Sequence, residues 1–135
     1  MLYATQDSLV KRYSANLIAA LAGQEADKKV QEALEDASQT IDSYLAGRYS
    51  LPLNTVPAVL ERHCCYLARY FLEKNRATEQ ARRDYEDSIK FLEKVATGTI
   101  SLGLDENQQP LESNNSAIIE SSGSVWGRKV SGGFI

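Results

Sequence analysis

The sequence predicts an all-α fold: a bundle of about five helices, two short and three long, followed by an extended C-terminal tail able to close into a β-hairpin. Two observations carry this expectation. Apolar residues recur at three- and four-residue spacing through the stretches before residue 98, as they do on the buried face of a helix. Each of those stretches is bracketed by residues that start or stop helices. From Thr99 the pattern changes, which divides the chain into a helical bundle domain, residues 1–104, and a polar linker with a flexible tail or hairpin, residues 105–135.

Thr5 is placed to cap the first short helix, with Asp7 favourable against its dipole and Leu9 and Tyr13 on one face. A second short helix is predicted from about Asn16 to Ala22, with Leu17, Ile18 and Leu21 as its apolar set and Gly23 ending it. Glu25 and Asp27 open the long third helix, which runs to about Ala46 on a stripe of Val30, Leu34, Ala37, Ile41 and Leu45. Its other side carries Lys28, Lys29, Glu32, Glu35 and Gln39 and reads as solvated. Gly47 is expected to stop it in a left-handed conformation, and neither Pro52 nor Pro57 can continue it.

Pro57 suits an early position of the fourth helix, where its missing amide has no intrahelical partner to lose. The stripe there is Leu60, Cys64, Leu67, Ala68 and Phe71, widened by Tyr66, Tyr70 and Leu72, so contacts on two sides are expected. Asn75, tolerant of left-handed backbone, is the expected end. Thr78 caps a fifth helix whose inner face reads Ala81, Tyr85, Ser88, Leu92 and Val95 and which Gly98 ends. Beyond it Ile100, Leu102 and Leu104 alternate as in a short strand or extended segment. Residues 105–117 are too polar to hold a core. Ile118-Ile119 and Val125-Trp126 then flank Ser121-Ser122-Gly123-Ser124, the pattern of a hairpin that needs a partner surface to be stable.

Composition narrows the function. At 135 residues, one domain can bury roughly two thirds of its unfolded surface, enough for a core without staples. A net charge of −3, with no run of lysine or arginine, argues against a general nucleic-acid binder, which needs a concentrated basic face. Cys64 and Cys65 are adjacent and cannot frame a small secreted domain, so they read as reduced thiols of a cytosolic protein. The N-terminal stretch lacks a basic segment followed by an apolar core, so no signal peptide is expected. The longest wholly apolar run, Leu17 to Ala22, is far short of the roughly 20 residues that span a membrane.

No residue set reads as catalytic, cofactor-binding or metal-binding. His63-Cys64-Cys65 gathers imidazole and thiols, but consecutive helical residues point about 100° apart and cannot converge on one ion. Cys64 reads instead as core filler and His63 as a partly exposed helix residue. Tyr44, Tyr49, Tyr66, Tyr70 and Tyr85 lack the interleaved basic residues of a base-stacking platform, so packing is the expected use. Arg48 and Arg69, each beside a tyrosine, are candidates for a protein interface, where Arg and Tyr are enriched.

The order Tyr3-Ala4-Thr5, then Ile41-Asp42-Ser43-Tyr44-Leu45-Ala46-Gly47-Arg48-Tyr49, Leu51-Pro52-Leu53, Val56-Pro57 and Ala68-Arg69-Tyr70, resembles the small Mu-like prophage virion proteins. Arg83, Tyr85-Glu86-Asp87, Phe91-Leu92, Gly98, Ile100, Leu102 and Gly103 extend the likeness to residue 104; Trp126 and Gly133-Phe134 echo it in the tail. What the resemblance implies is a structural part of a phage, similar to the helical head–tail connector or head-completion adaptors. Such a protein would work in the bacterial host cytoplasm during assembly and then in the virion. Its partners would be the portal and neighbouring connector or tail-completion proteins, with copies of itself forming a ring there even if the free chain is a monomer. On this reading Arg48, Tyr49, Arg69, Trp126, Arg128 and Phe134 are the interface candidates, and neither membrane nor sequence-specific nucleic acid is expected as a partner. The alternative is a small helical nucleic-acid-binding regulator, since short helices joined by turns can form a helix-turn-helix; the acidic balance speaks against it.

Overall fold

Five helices follow one another in the computed structural model, which describes residues 1–104: α1 Gln6–Tyr13, α2 Ala15–Ala22, α3 Ala26–Leu45, α4 Ala58–Glu73 and α5 Glu79–Ala96. The expected two short and three long helices are all present. The expected linker and hairpin of residues 105–135, with Trp126, Arg128 and Phe134, lie outside the described residues.

Local chemistry sets the boundaries. The Thr5 hydroxyl accepts from the Ser8 amide at 3.2 Å and Ser8 reciprocates to the Thr5 amide, so both exposed donors at the start of α1 are satisfied. Ser14 ends α1 and begins α2 at once: its amide donates to the Val10 carbonyl at 2.8 Å, and its hydroxyl accepts from the Leu17 amide at 3.3 Å. This double duty is met at a φ of 91°, a conformation that non-glycine residues seldom adopt. Gly23, at φ 69°, closes α2 as expected, and Glu25, at φ 55°, is the residue that turns the chain into α3. Thr78 caps α5 through the Ala81 amide at 3.1 Å.

The long helices pack against one another, with α4 touching every other helix, and the α1–α2 pair lies on α3 and α4. Leu9, Val30, Leu34, Ile41, Leu45, Leu60, Leu67, Leu92 and Val95 are fully buried at the centre. Cys64 is among them, as expected of core filler. Each leucine buried in this way contributes about 1.5–3 kcal/mol relative to an exposed one.

Four expectations need correcting and one is narrowed. Gly47 is not left-handed; past the end of α3, Ala46 keeps right-handed backbone and the Arg48 and Tyr49 amides share the Leu45 carbonyl at 2.9 Å, a tightened turn that satisfies this carbonyl without a left-handed residue. Pro57 precedes α4 as its cap, with extended backbone, and is not its first helical residue. Lys74, at φ 51°, and not Asn75, takes the left-handed position after α4, and residues 74–76 form a 3₁₀ turn. Of the two alternatives for residues 100–104, the short strand does not form among the described residues, where Leu104 alone is a bridge residue; Leu102 is buried. His63 is buried, 6 % exposed, because α5 supplies a ring and a hydroxyl that enclose its imidazole.

Candidate functional site

The connection between α3 and α4, residues 46–57, is held to the bundle from both ends. Leu53 is buried at 4 % exposure, and Leu51 is half-buried, joined to Pro52 by a cis peptide bond. The Tyr49 hydroxyl accepts from the Leu102 amide at 3.3 Å, fastening the loop to the segment that follows α5. Beside it the exposed Arg48 guanidinium lies against Gly98, so closely that a Cβ there would stand 2.5 Å from Nη1. Gly98 adopts φ 85°, so glycine serves two purposes at this point: left-handed backbone and room for the arginine. The contact puts a cation beside the C-terminal end of α5, whose last carbonyls carry partial negative charge. Arg48 and Tyr49 thus share one end of the bundle with the segment where the chain leaves α5.

Arg69 sits elsewhere. Its Nε donates to Glu73 Oε2 at 2.7 Å, its guanidinium stacks 4.6 Å from the Tyr13 ring centroid, and its side chain is 17 % exposed. The other oxygen of Glu73 accepts from the Thr78 amide at 2.7 Å. One buried carboxylate therefore joins α1, through Arg69 and Tyr13, to the start of α5. Burial works against the Arg69 charge, but the Glu73 carboxylate outweighs it and holds the guanidinium above its ordinary pKa. Burial pushes the Tyr13 phenol up to about 12, with Arg69 partly offsetting it.

The N-terminus forms a second fastening. Tyr3 and Ala4 are buried; the Tyr3 amide donates to Ser38 Oγ at 3.1 Å, and its phenol donates to the Asp42 carboxylate, a bond that together with burial raises the phenol pKa. Ser38 also lies 3.6 Å from Cys64 Sγ, whose pKa burial lifts to about 11. Periodicity gave no sign of this clamp, since Tyr3 precedes the first helix; the polar Ser38 on an otherwise apolar stripe was its one trace.

His63 stacks on Phe91, centroids 4.4 Å apart, and meets Tyr66 edge-on at 5.7 Å. Ser88 Oγ gives its hydrogen to the Asp84 carbonyl at 2.8 Å, which leaves a lone pair to accept from His63 Nδ1–H, also at 2.8 Å. Burial, then repulsion from Arg62, lowers the His63 pKa to about 4, with Asp87 opposing, so the ring is neutral near pH 7.

Ser38, His63, Glu73 and Ser88 are therefore spent on joining helices, whereas the buried Tyr13 hydroxyl oxygen has no hydrogen-bond partner among the described residues. A groove of about 410 Å³ between the ends of α2 and α4 is lined by Leu21, Phe71, Lys74 and Arg76, with Glu73 at its wall. Glu73 has both oxygens engaged, and the exposed Glu32 of α3 is the other carboxylate lining that groove. Among the described residues no three His, Cys, Asp or Glu side chains gather as around a metal ion, and no helix is long and apolar enough to cross a membrane. What the arrangement does chemically is hold a rigid bundle with an arginine and a tyrosine at one end.

Comparison with known proteins adds to this geometry. Residues 3–121 match the family model described as bacteriophage Mu, Gp36. The chain is 66 % identical over 140 residues to the Mu-like prophage FluMu protein gp36 of Haemophilus influenzae, covering 100 % of this chain and 99 % of that protein. It is 34 % identical over 139 residues to gene product J of Escherichia phage Mu, covering 98 % and 99 % respectively.

Proposed function

The chain belongs to the bacteriophage Mu Gp36 family, and from that premise we propose that it is a non-enzymatic virion protein, a head–tail connector adaptor that docks at the portal and forms a ring there with its own copies. The α-helical bundle is the scaffold, and the loop of residues 47–57, together with the chain after residue 104, makes the contacts to the portal and to neighbours. It works in the host cytoplasm during assembly and then in the virion.

The observation that carries the reading is the build of one end of the bundle. Leu51 and Leu53 root the loop, while Arg48 stays exposed beside Gly98 and Tyr49 ties to Leu102. An arginine and a half-buried tyrosine on a braced loop are the residue types that dominate protein interfaces, held with little conformational freedom left to lose on docking. The engagement of Ser38, His63, Glu73 and Ser88 in helix-to-helix bonds supports a scaffold over a catalyst. Trp126, Arg128 and Phe134 remain interface candidates of the same proposal.

Titrating the chain onto its purified portal, with mass followed by light scattering, tests this reading. Saturable binding at a fixed number of copies per portal is expected. No mass gain at high concentration, or gain only of DNA with a steep salt dependence, contradicts it.

A further inference from the structure

We propose that residues 1–13, the N-terminal strap with α1, are exchanged between neighbouring copies of this chain by straightening at Ser14. The inference deepens the ring reading and rests on it.

The hinge is one residue long. Ser14 joins α1 to α2 at φ 91° and ψ 150°, a region of backbone space that belongs almost entirely to glycine. Short connections under strain favour exchange, because the open form releases the strain. Helical hydrogen bonds already run up to the hinge and away from it. The Ser14 amide donates to the Val10 carbonyl at 2.8 Å and the Ile18 amide to the Ser14 carbonyl at 3.2 Å, each across four residues. Residues 6–22 contain no glycine or proline. Turning Ser14 to helical backbone therefore fuses α1 and α2 into one helix of about 25 Å and carries the strap away from its own bundle.

The lid made by residues 1–13 leaves a footprint that the same lid from a second copy fits. Tyr3 and Ala4 are buried, with the Tyr3 amide on Ser38 Oγ at 3.1 Å and its phenol on Asp42. Leu9 is buried in the core, the Ser8 hydroxyl donates to Glu61 at 3.0 Å, and the Gln6 side chain donates to Asp27 at 3.3 Å. These partners stand on α3 and α4, and α2 keeps its own hold through buried Ile18 and Ala22. An incoming lid thus meets every partner of the outgoing one, and only the strained hinge differs. Copies held side by side on a portal supply the effective concentration that exchange needs. Reciprocal exchange closes a two-fold pair, whereas handing each lid to the next copy is a heterologous contact that closes a ring.

Cross-linking across the footprint tests the exchange. Gln6 and Asp27 are exposed, so a chain carrying Gln6→Cys and Asp27→Cys is treated with a short bismaleimide on the portal. The concentrated free chain is treated likewise after warming near its melting temperature and cooling. Cys64 and Cys65 are buried, and the chain without the new cysteines gives the background. A retained lid gives cross-links within single chains; an exchanged lid gives a covalent ladder on a denaturing gel, which is the expected result. Mixing Gln6→Cys chains with Asp27→Cys chains should give a dimer band. Two hinge variants, checked for helix content by circular dichroism, separate backbone strain from capping, since both lose the hydroxyl that caps α2. Ser14→Gly accepts the bent hinge freely and should cut the between-chain share about tenfold. Ser14→Ala keeps the strain, favours the fused helix and should raise that share. Cross-links confined to single chains both on the portal and in the free protein, or a between-chain share that Ser14→Gly leaves unchanged, overturns the proposal. Rings that assemble without a ladder keep the ring reading and lose the exchange; a ladder in the free chain beside bare portals does the reverse.

Discussion

The hydroxyl of Tyr49 accepts a hydrogen bond from the Leu102 amide at 3.3 Å, across 53 residues of sequence, and so ties the loop after α3 to the segment that follows α5. Tyr49→Phe removes the acceptor and little else. It is expected to lower stability by about 0.5–1.5 kcal/mol and to speed hydrogen exchange at the Leu102 amide. Unchanged exchange at Leu102 would mean the tie does not hold in solution.

Gly98 and Arg48 form the neighbouring contact. Gly98→Ala forces a Cβ into left-handed backbone and displaces the guanidinium, whose Nη1 would stand 2.5 Å away. Because the arginine tip can swing aside, most of the cost is backbone strain, about 1 kcal/mol. Denaturant melts should give nearly the same loss in the Arg48→Ala background; a much smaller loss there would assign the cost to the clash instead.

Arg69 calls for a different measurement. Its partners, Glu73 and Tyr13, belong to the same chain, so Arg69→Ala strands a buried carboxylate. A destabilisation of the free protein of about 2–4 kcal/mol is expected. Full stability with defective assembly would instead give Arg69 an interface role.

His63 makes stability depend on pH. Its folded pKa of about 4 lies below the ordinary 6.5, so the unfolded chain takes up the proton first. The contribution of neutral His63 is intact above pH 6.5 and is lost progressively as pH falls towards 4, by up to about 3 kcal/mol. Urea melts at pH 7.5 and 5 should differ more for the native protein than for His63→Phe. An equal slope in the two would show that the ring titrates normally.

The helices were legible because each carries its own signals. The stripe Val30, Leu34, Ala37, Ile41 and Leu45 is buried as its spacing requires, and Thr5 and Thr78 cap where a hydroxyl is needed. What eluded the sequence depends on other elements. His63 is buried because Phe91 and Ser88 arrive from α5, 25 or more residues away. Tyr3 is clamped by Ser38 and Asp42, and no local periodicity records that. Gly47 invited a left-handed turn, but the Arg48 and Tyr49 amides satisfy the Leu45 carbonyl at the end of α3 without one. At the candidate site, Arg48 and Tyr49 were singled out by residue type and resemblance, whereas their footing on Gly98 and Leu102 follows from where α5 ends.

The central claim, that this bundle is a ring-forming adaptor at the portal, is tested most directly by imaging purified portal with and without the chain in the electron microscope. An added ring of density on the portal is expected, lost or thinned with Arg48→Ala while that variant keeps its native melting temperature. Bare portals at saturating chain concentration would contradict it.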